Sequence, residues 1–470
     1  MLFNSFQFWI FFVVVVVGFY SLPYRAGKVL LLAASYFFYM WWNPRFIALI
    51  LASTIVDYFL GIALETAQVR WRKSLLIVSL VVNLGFLGFF KYYNFFASSL
   101  ATLLGLPEDS MALNIILPVG ISFYTFASLS YTIDVYRRKT TAVRNFIDYA
   151  FFIAFFPHLI AGPILRAKQF LPQVQNWQRP TAATVNRGIA LILSGLVKKM
   201  VFADRFAIVS DAYFNNIDAH PGWLAAWSGA FAFTLQVFFD FSGYTDIARG
   251  CAKLLGFEFP INFARPALAR NPIEFWQRWH ITLSLWVRDY IFLPLTRSSR
   301  RRFGVYLALI ITMLLVGLWH GARWNFVLWG GYCGLFMILT RLFQQKLPPA
   351  LRADPIAARV LAPFKIALTF AIFVSAMALF RSRNLHDVGV VLSSMFDWQD
   401  GAGKTLLTTG TIVLFLVSVA LAALEERRRF LTRLSLAPAY VQVPAYICVF
   451  LVLALFSVTD ESIPFVYFQF

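Results

Sequence analysis

NPIEFWQRWHITLSLWVRDYIFLPL (residues 271–295) and GLWHGARWNFVLWGG (residues 317–331) decide how this chain is read. Only five histidines occur in 470 residues, and two of them, His280 and His320, stand in these two runs. A basic loop with Arg297, Arg300, Arg301 and Arg302 and an apolar segment from Gly304 to Trp319 join the runs. At about 100° per residue, Gln277, His280, Ser284 and Arg288 share one helical face within roughly 80°, with Arg278, Thr282 and Asp289 beside them. Trp279, Leu283, Trp286, Val287 and Tyr290 take the opposite side. The first run is therefore expected to be one two-sided helix, half polar and half aromatic. Two arginines and an aspartate make a poor lipid-facing span, which places it at the cytoplasmic interface or dipping into a helix bundle.

The segment from Gly304 to Trp319 is long enough, roughly 24 Å at ~1.5 Å per residue, to carry His320 from a cytoplasmic loop deep into the hydrocarbon. Gly317 and Gly321 stand four apart and permit close helix approach, and Trp319, Trp324 and Trp329 supply bulk around the histidine. A neutral imidazole there can take the proton of a hydroxyl attacking an acyl carbon, or serve a proton relay. No Ser-His-Asp spacing and no nucleophile elbow accompany it. His280 reads either as a hydrogen-bonded histidine orienting its neighbours or as a second functional position.

Outward from this stretch, composition sets the class. Hydrophobic residues make up 60% of the chain and charged ones 13%, with mean hydropathy +0.69, which excludes an ordinary soluble protein. The apolar stretches are long and continuous, so spanning helices, roughly ten to twelve by length, are expected rather than a barrel. Phe6 to Tyr20 lacks the flanks of a cleaved signal and reads as an uncleaved span. The net charge of +19 sits in short loops between apolar segments, which is the positive-inside pattern and no sign of nucleic-acid binding. Cys251, Cys333 and Cys448 lie far apart, so neither a disulfide framework nor a metal site is indicated. No bound cofactor is expected.

The loops alternate. Arg70, Arg72 and Lys73 form one basic loop, Glu108 and Asp109 an acidic one, and Arg137, Arg138, Lys139 and Arg144 a second basic one. Strict crossing then places 70–73 and 137–144 in the cytoplasm and the N-terminus outside. FIDYAFFIAFFPHLIAGPILR, residues 146–166, carries Pro157, Gly162 and Pro163 and is expected to be a broken or re-entrant element lining a cavity. Asp240 and Asp246, in VFFDFSGYTDIARG, are ionisable groups near the membrane. Each either pairs with an arginine such as Arg249, Arg278 or Arg288 or handles substrate. With no internal repeat, residues 1–470 are expected to form one integral-membrane domain.

Several runs together resemble the membrane-bound O-acyltransferase (MBOAT) family, in its bacterial polysaccharide-acetylating branch. They are FFKYYNFF (89–96), PVGISFYTFASLSYTIDVYRR (118–138), FFPHLIAGPILR (155–166), FDFSGYTDIARG (239–250), EFWQRWHITLSLWVRDYIFLPL (274–295) and the 317–331 run. The resemblance implies an all-α polytopic ring of helices, with re-entrant or interfacial pieces, around a channel. It implies that His320 is the essential histidine and His280 the second motif position. Ser284, Arg288, Asp240, Asp246 and Asn325 are then candidates for orienting groups along the channel. Acetyl-CoA is the implied donor substrate, a periplasmic or membrane-tethered SGNH-type acetyltransferase the implied partner, and an exported polysaccharide such as alginate the acceptor, in the bacterial inner membrane. TRSSRRR (296–302) and Arg265-Pro266-Ala267 depart from the branch pattern. A rival reading makes the chain a transporter or flippase for an acyl or glycan intermediate, with the aspartates and His320 on its pathway.

Overall fold

A computed structural model describes residues 1–298, 304–346, 359–398, 406, 408–428, 430–458 and 464–466. Arg300, Arg301 and Arg302 of the basic loop lie outside the described residues. Among those described, the chain is all helix and connecting loop, with no strand. Six helices among the described residues are long and apolar enough to cross a bilayer: Pro44–Thr66, Val69–Leu103, Trp223–Leu254, Trp324–Lys346, Ala362–Arg381 and Ala439–Phe456. Phe6–Ser21, Gly304–His320 and Thr409–Ala420 are shorter apolar helices. The protein is an all-α polytopic membrane protein, with fewer full-length spans among the described residues than the ten to twelve expected. Part of the difference lies in apolar helices that fall just short of full span length, such as Phe6–Ser21 with 16 residues and Gly304–His320 with 17.

The chain divides into two compact units, Met1–Ile192 with Tyr244–Pro260, and Leu193–Gly243 with Ile261–Phe470. In the first, Ile47–Thr66, Val69–Leu87 and Ile121–Tyr136 pack together around a polar knot. Asp57 there accepts from Ser79 Oγ at 2.7 Å and from Asn83 Nδ2 at 2.7 Å, so its buried carboxyl is hydrogen-bonded. Arg72 is buried rather than loop-exposed. Its guanidinium donates to the carbonyls of Val135 at 3.1 Å and Tyr136 at 2.6 Å, satisfying the last turn of a neighbouring helix.

The 146–166 segment is broken, as its prolines require: Phe146–Ala154 ends at Phe155, a single turn Phe156–Leu159 follows, and the rest is irregular. It is buried in protein. The Phe156 N–H donates to Ser35 Oγ at 3.1 Å, and Phe151, Phe155, Phe170, Phe257 and Phe259 pack ring against ring around it. His158 sits in that cluster with Nε2 3.1 Å from the Phe152 carbonyl, which accounts for one buried histidine by local bonding.

In the second unit, Gly304–His320 and Trp324–Lys346 form a tight hairpin. A Cβ on Gly317 would meet the Phe326 carbonyl oxygen at 2.2 Å, and one on Gly330 the Met313 carbonyl oxygen at 2.2 Å. Only glycine allows the backbones this approach, and the turn at Gly321 is as crowded, its Cβ falling 2.2 Å from the Phe326 ring.

Candidate functional site

The hairpin fixes the place of His320. It is the last residue of Gly304–His320, so its ring emerges at the turn, half-buried. Trp319 lies 4.7 Å away between ring centroids, Trp329 5.0 Å and Phe380 5.2 Å, all three edge-on. These rings come from three helices. Asn325 secures the third: its Nδ2 donates to the Ser382 carbonyl at 2.8 Å and to that of Leu379 at 3.4 Å, tying the end of Ala362–Arg381 to the start of Trp324–Lys346. Asn325 thereby holds Phe380 beside His320, through helix-terminal carbonyls that otherwise lack partners.

The 271–295 run departs from the single two-sided helix expected of it. Pro272–Arg278 is a first helix, capped by Asn271 Oδ1 accepting from the Glu274 N–H at 2.9 Å. Trp279 is extended, and His280 takes the left-handed conformation at φ 39 and ψ 57 before a second helix, Ile281–Val287. A π-helical turn, Arg288–Phe292, and a last short helix, Leu293–Ser298, complete it. The four residues assigned to one face therefore do not share one. Ser284 Oγ donates to the Trp279 carbonyl at 3.2 Å, closing the break, and Arg288 pairs with Asp289 at 2.7 Å with its side chain 54% exposed. Arg278 pairs with Glu274 at 2.6 Å.

His280 is 1% exposed. Its ring stands edge-on to Phe241 at 4.6 Å and contacts Trp319 at 6.1 Å. The two histidines thus meet the same indole, and Trp319 is the neighbour they share. Pieces 272–298 are too short to span a bilayer, and burial there pushes the His280 pKa well below the ordinary histidine value, leaving the ring neutral near pH 7. A narrow apolar crevice of about 20 Å³ adjoins this region, lined by Phe275, Trp276, Tyr332, Cys333 and Phe373. Trp276 reaches Trp329 at 5.8 Å, linking the cleft to the rings around His320.

The aspartates have partners. Asp240 and Asp204 each lie 2.8 Å from Lys199 Nζ, and all three side chains are nearly inaccessible. The Val466 N–H donates to the other Asp240 oxygen at 2.6 Å, and the Phe465 ring lies 4.6 Å from Lys199 Nζ. Asp240 is thus an ion-pair partner of a lysine rather than of the arginines considered from sequence. Asp246 belongs to the first unit, where it faces Arg249 at 3.5 Å, a pairing the sequence did anticipate. Sequence reasoning missed Lys199 as a partner and missed Asn262, which bonds across the His280 break. The signal for Lys199 was a basic residue closing an apolar run, with an acid on another.

Among the described residues no cluster of three or more His, Cys, Asp or Glu side chains could hold a metal ion. What the arrangement provides is a half-buried imidazole among aromatic rings, with a second, fully buried imidazole across a tryptophan. Such a site can move a proton to or from a reacting hydroxyl that approaches the half-buried ring.

The sequence model of the membrane-bound O-acyltransferase family matches residues 80–380, which include both histidines and their ring neighbours. A Pseudomonas putida protein named "Probable alginate O-acetylase AlgI" is 39% identical over 439 residues, covering 91% of this chain and 88% of that one. The Helicobacter pylori peptidoglycan O-acetyltransferase is 32% identical over 395 residues, 78% of this chain and 73% of its own. The teichoic acid D-alanyltransferase of Bacillus subtilis is 29% identical over 277 residues, 55% and 69% respectively. With a family match over most of its length and relatives well above 30% identity, the chain is an acyltransferase and belongs to the membrane-bound O-acyltransferase family.

Proposed function

We propose that this protein transfers acetyl groups from cytoplasmic acetyl-CoA across the bacterial inner membrane for O-acetylation of an exported polysaccharide, with His320 as the general base. The observation that carries the reading is the half-buried His320 ring framed by Trp319, Trp329 and Phe380, with His280 sharing Trp319. In the step proposed, the His320 imidazole takes the proton of an acceptor hydroxyl as its oxygen attacks the thioester carbonyl carbon. The C–S bond then breaks, the imidazolium returns the proton to the thiolate, and CoA leaves as the thiol. The aromatic rings around His320 limit the room for water beside the thioester.

The acceptor hydroxyl belongs to the polysaccharide or to a periplasmic or membrane-tethered SGNH-type acetyltransferase that completes delivery. The relatives named for alginate, peptidoglycan and teichoic acid support an envelope or exported polymer as the final acceptor, and the 39% identity to the protein named as an alginate acetylase favours alginate. The alternating loop charges support cytoplasmic placement of 70–73 and 137–144 and an outside N-terminus. Asn325 and Ser284 act on the site through backbone they bond. The test compares wild-type protein with His320→Ala in the native host by base-released acetate from the polymer. Loss of acetate with normal membrane insertion is expected; unchanged acetate refutes the base.

A further inference from the structure

The backbone at His280 requires an explanation. A left-handed conformation costs an L-residue with a Cβ stability unless its surroundings enforce it, and the local sequence offers neither glycine nor proline. What enforces it is a strap three residues long, Asn262–Ala264, lying across the break. On one side the Ala264 N–H donates to the Arg278 carbonyl at 2.9 Å. On the other, the Asn262 carbonyl accepts from the Ile281 N–H at 2.9 Å, and Asn262 Oδ1 accepts from the Thr282 N–H at 3.3 Å and the Thr282 hydroxyl at 2.7 Å. Between them Phe263 packs edge-on against Trp279 at 5.1 Å and against Phe241 at 5.2 Å. Phe241 is in turn the ring that meets His280. The strap thus fixes the backbone on both sides of His280 and one side of its ring pocket, and Asn262 is fully buried.

We propose that Asn262 is a positioning residue for the acyl-transfer reaction: it holds the 279–281 break so that the His280 ring stays against Trp319, the residue it shares with His320. Asn262 touches no reacting atom in this account; it acts through His280. An asparagine suits the task because one side-chain oxygen accepts from both the N–H and the hydroxyl of Thr282, while its own carbonyl takes the Ile281 N–H. Alanine keeps the carbonyl and loses the oxygen. Valine at 282 loses only the hydroxyl and keeps the N–H.

The proposal rests on the acyl-transfer reading, so its test has one readout independent of that reading. Full-length wild type, Asn262→Ala and Thr282→Val, in native membranes, are treated with diethyl pyrocarbonate, and modification of His280 and His158 is followed by mass spectrometry. Losing the cap should raise the His280 modification rate roughly five- to thirtyfold in Asn262→Ala and less in Thr282→Val. His158, held by its own loop, should not change. In parallel, transfer of label from radiolabelled acetyl-CoA should fall roughly tenfold or more in Asn262→Ala. The same substitution in a His280→Ala background should then add less than about twofold, since its effect runs through His280. Unchanged His280 modification overturns the proposal, and so does an Asn262→Ala loss that multiplies in full in the His280→Ala background. Should Asn262→Ala fail to accumulate, Thr282→Val decides by the same two criteria. If His320→Ala transfers label normally, the acyl-transfer reading fails, while the modification rates still decide whether the strap holds His280.

Discussion

Replacing Lys199 by methionine removes the one cation of a buried three-charge cluster and keeps nearly all of its volume. In the folded protein Nζ lies 2.8 Å from both Asp204 and Asp240, and the three side chains are 1%, 4% and 3% exposed. Without it, two carboxylates face each other in a site that water does not reach. Breaking a buried ion pair by removing one partner costs about 3–5 kcal/mol, because the partner left behind keeps its desolvation cost and loses its compensation. The surrounding cluster of Val201, Phe202, Phe206 and Phe239 leaves little room for relaxation. At about 2 °C per kcal/mol for a chain larger than most calibrants, Lys199→Met should lower the apparent melting midpoint by roughly 6–10 °C. Fluorescence-detected size exclusion of detergent-solubilised protein after heating measures this. The triple variant Lys199→Met, Asp204→Asn, Asp240→Asn removes all three charges and should recover part of the loss, the two buried amides it leaves keeping the rest of the cost. A midpoint shift under about 1 °C for the single variant, or a triple variant no better than the single, refutes the charge argument.

Other outcomes follow from the same geometry. Gly317→Ala and Gly330→Ala each drive a methyl into a carbonyl oxygen, and each should cost about 1–3 kcal/mol or more, read as lower yield of monodisperse protein. Asn325→Leu frees the end of Ala362–Arg381 and leaves the Ser382 carbonyl unbonded, so it should cost about 1–3 kcal/mol and reduce transfer by loosening Phe380, measured by melting and label transfer together. Arg288→Ala removes a pair whose arginine is 54% and whose aspartate is 18% exposed, and should cost no more than about 1 kcal/mol, read as the melting midpoint. Because burial lowers the His280 pKa in the folded state, the unfolded chain binds a proton that the folded chain refuses. Its contribution is fully present above the ordinary value, about 6.5, and is lost as pH falls below it; the difference in melting midpoint between wild type and His280→Asn should therefore change between pH 7 and pH 5.

The helical class, the glycine hairpin and the break at 146–166 were legible because each has a local cause. Apolar runs make spans, Gly317 lets two backbones touch, and Pro157 and Pro163 cannot continue a helix. The break at His280 was not legible, since its neighbours include good helix formers and the periodicity of Gln277, His280, Ser284 and Arg288 is sound. A strap far earlier in the chain, at 262–264, overrides that local preference with hydrogen bonds on both sides. The same holds for Asp240. An intramembrane acid announces a partner but not which one, and Lys199 became that partner only through the packing of Lys198–Ala203 against Trp223–Gly243. Of the site residues chosen from sequence, His280 and His320 come together at Trp319, Asn325 supports their aromatic surroundings, and Ser284 closes the break. Arg288, at the start of the π-helical turn Arg288–Phe292, is more than half exposed and pairs with its neighbour Asp289.

The central claim is that the His320 ring carries the proton in acyl transfer, and transfer of label from radiolabelled acetyl-CoA by membranes containing the full-length protein tests it most directly. His320→Ala, inserted at wild-type level and with a wild-type melting midpoint, should lose roughly a hundredfold or more of the transfer rate. Label moved at the wild-type rate by that variant would contradict proton transfer by His320.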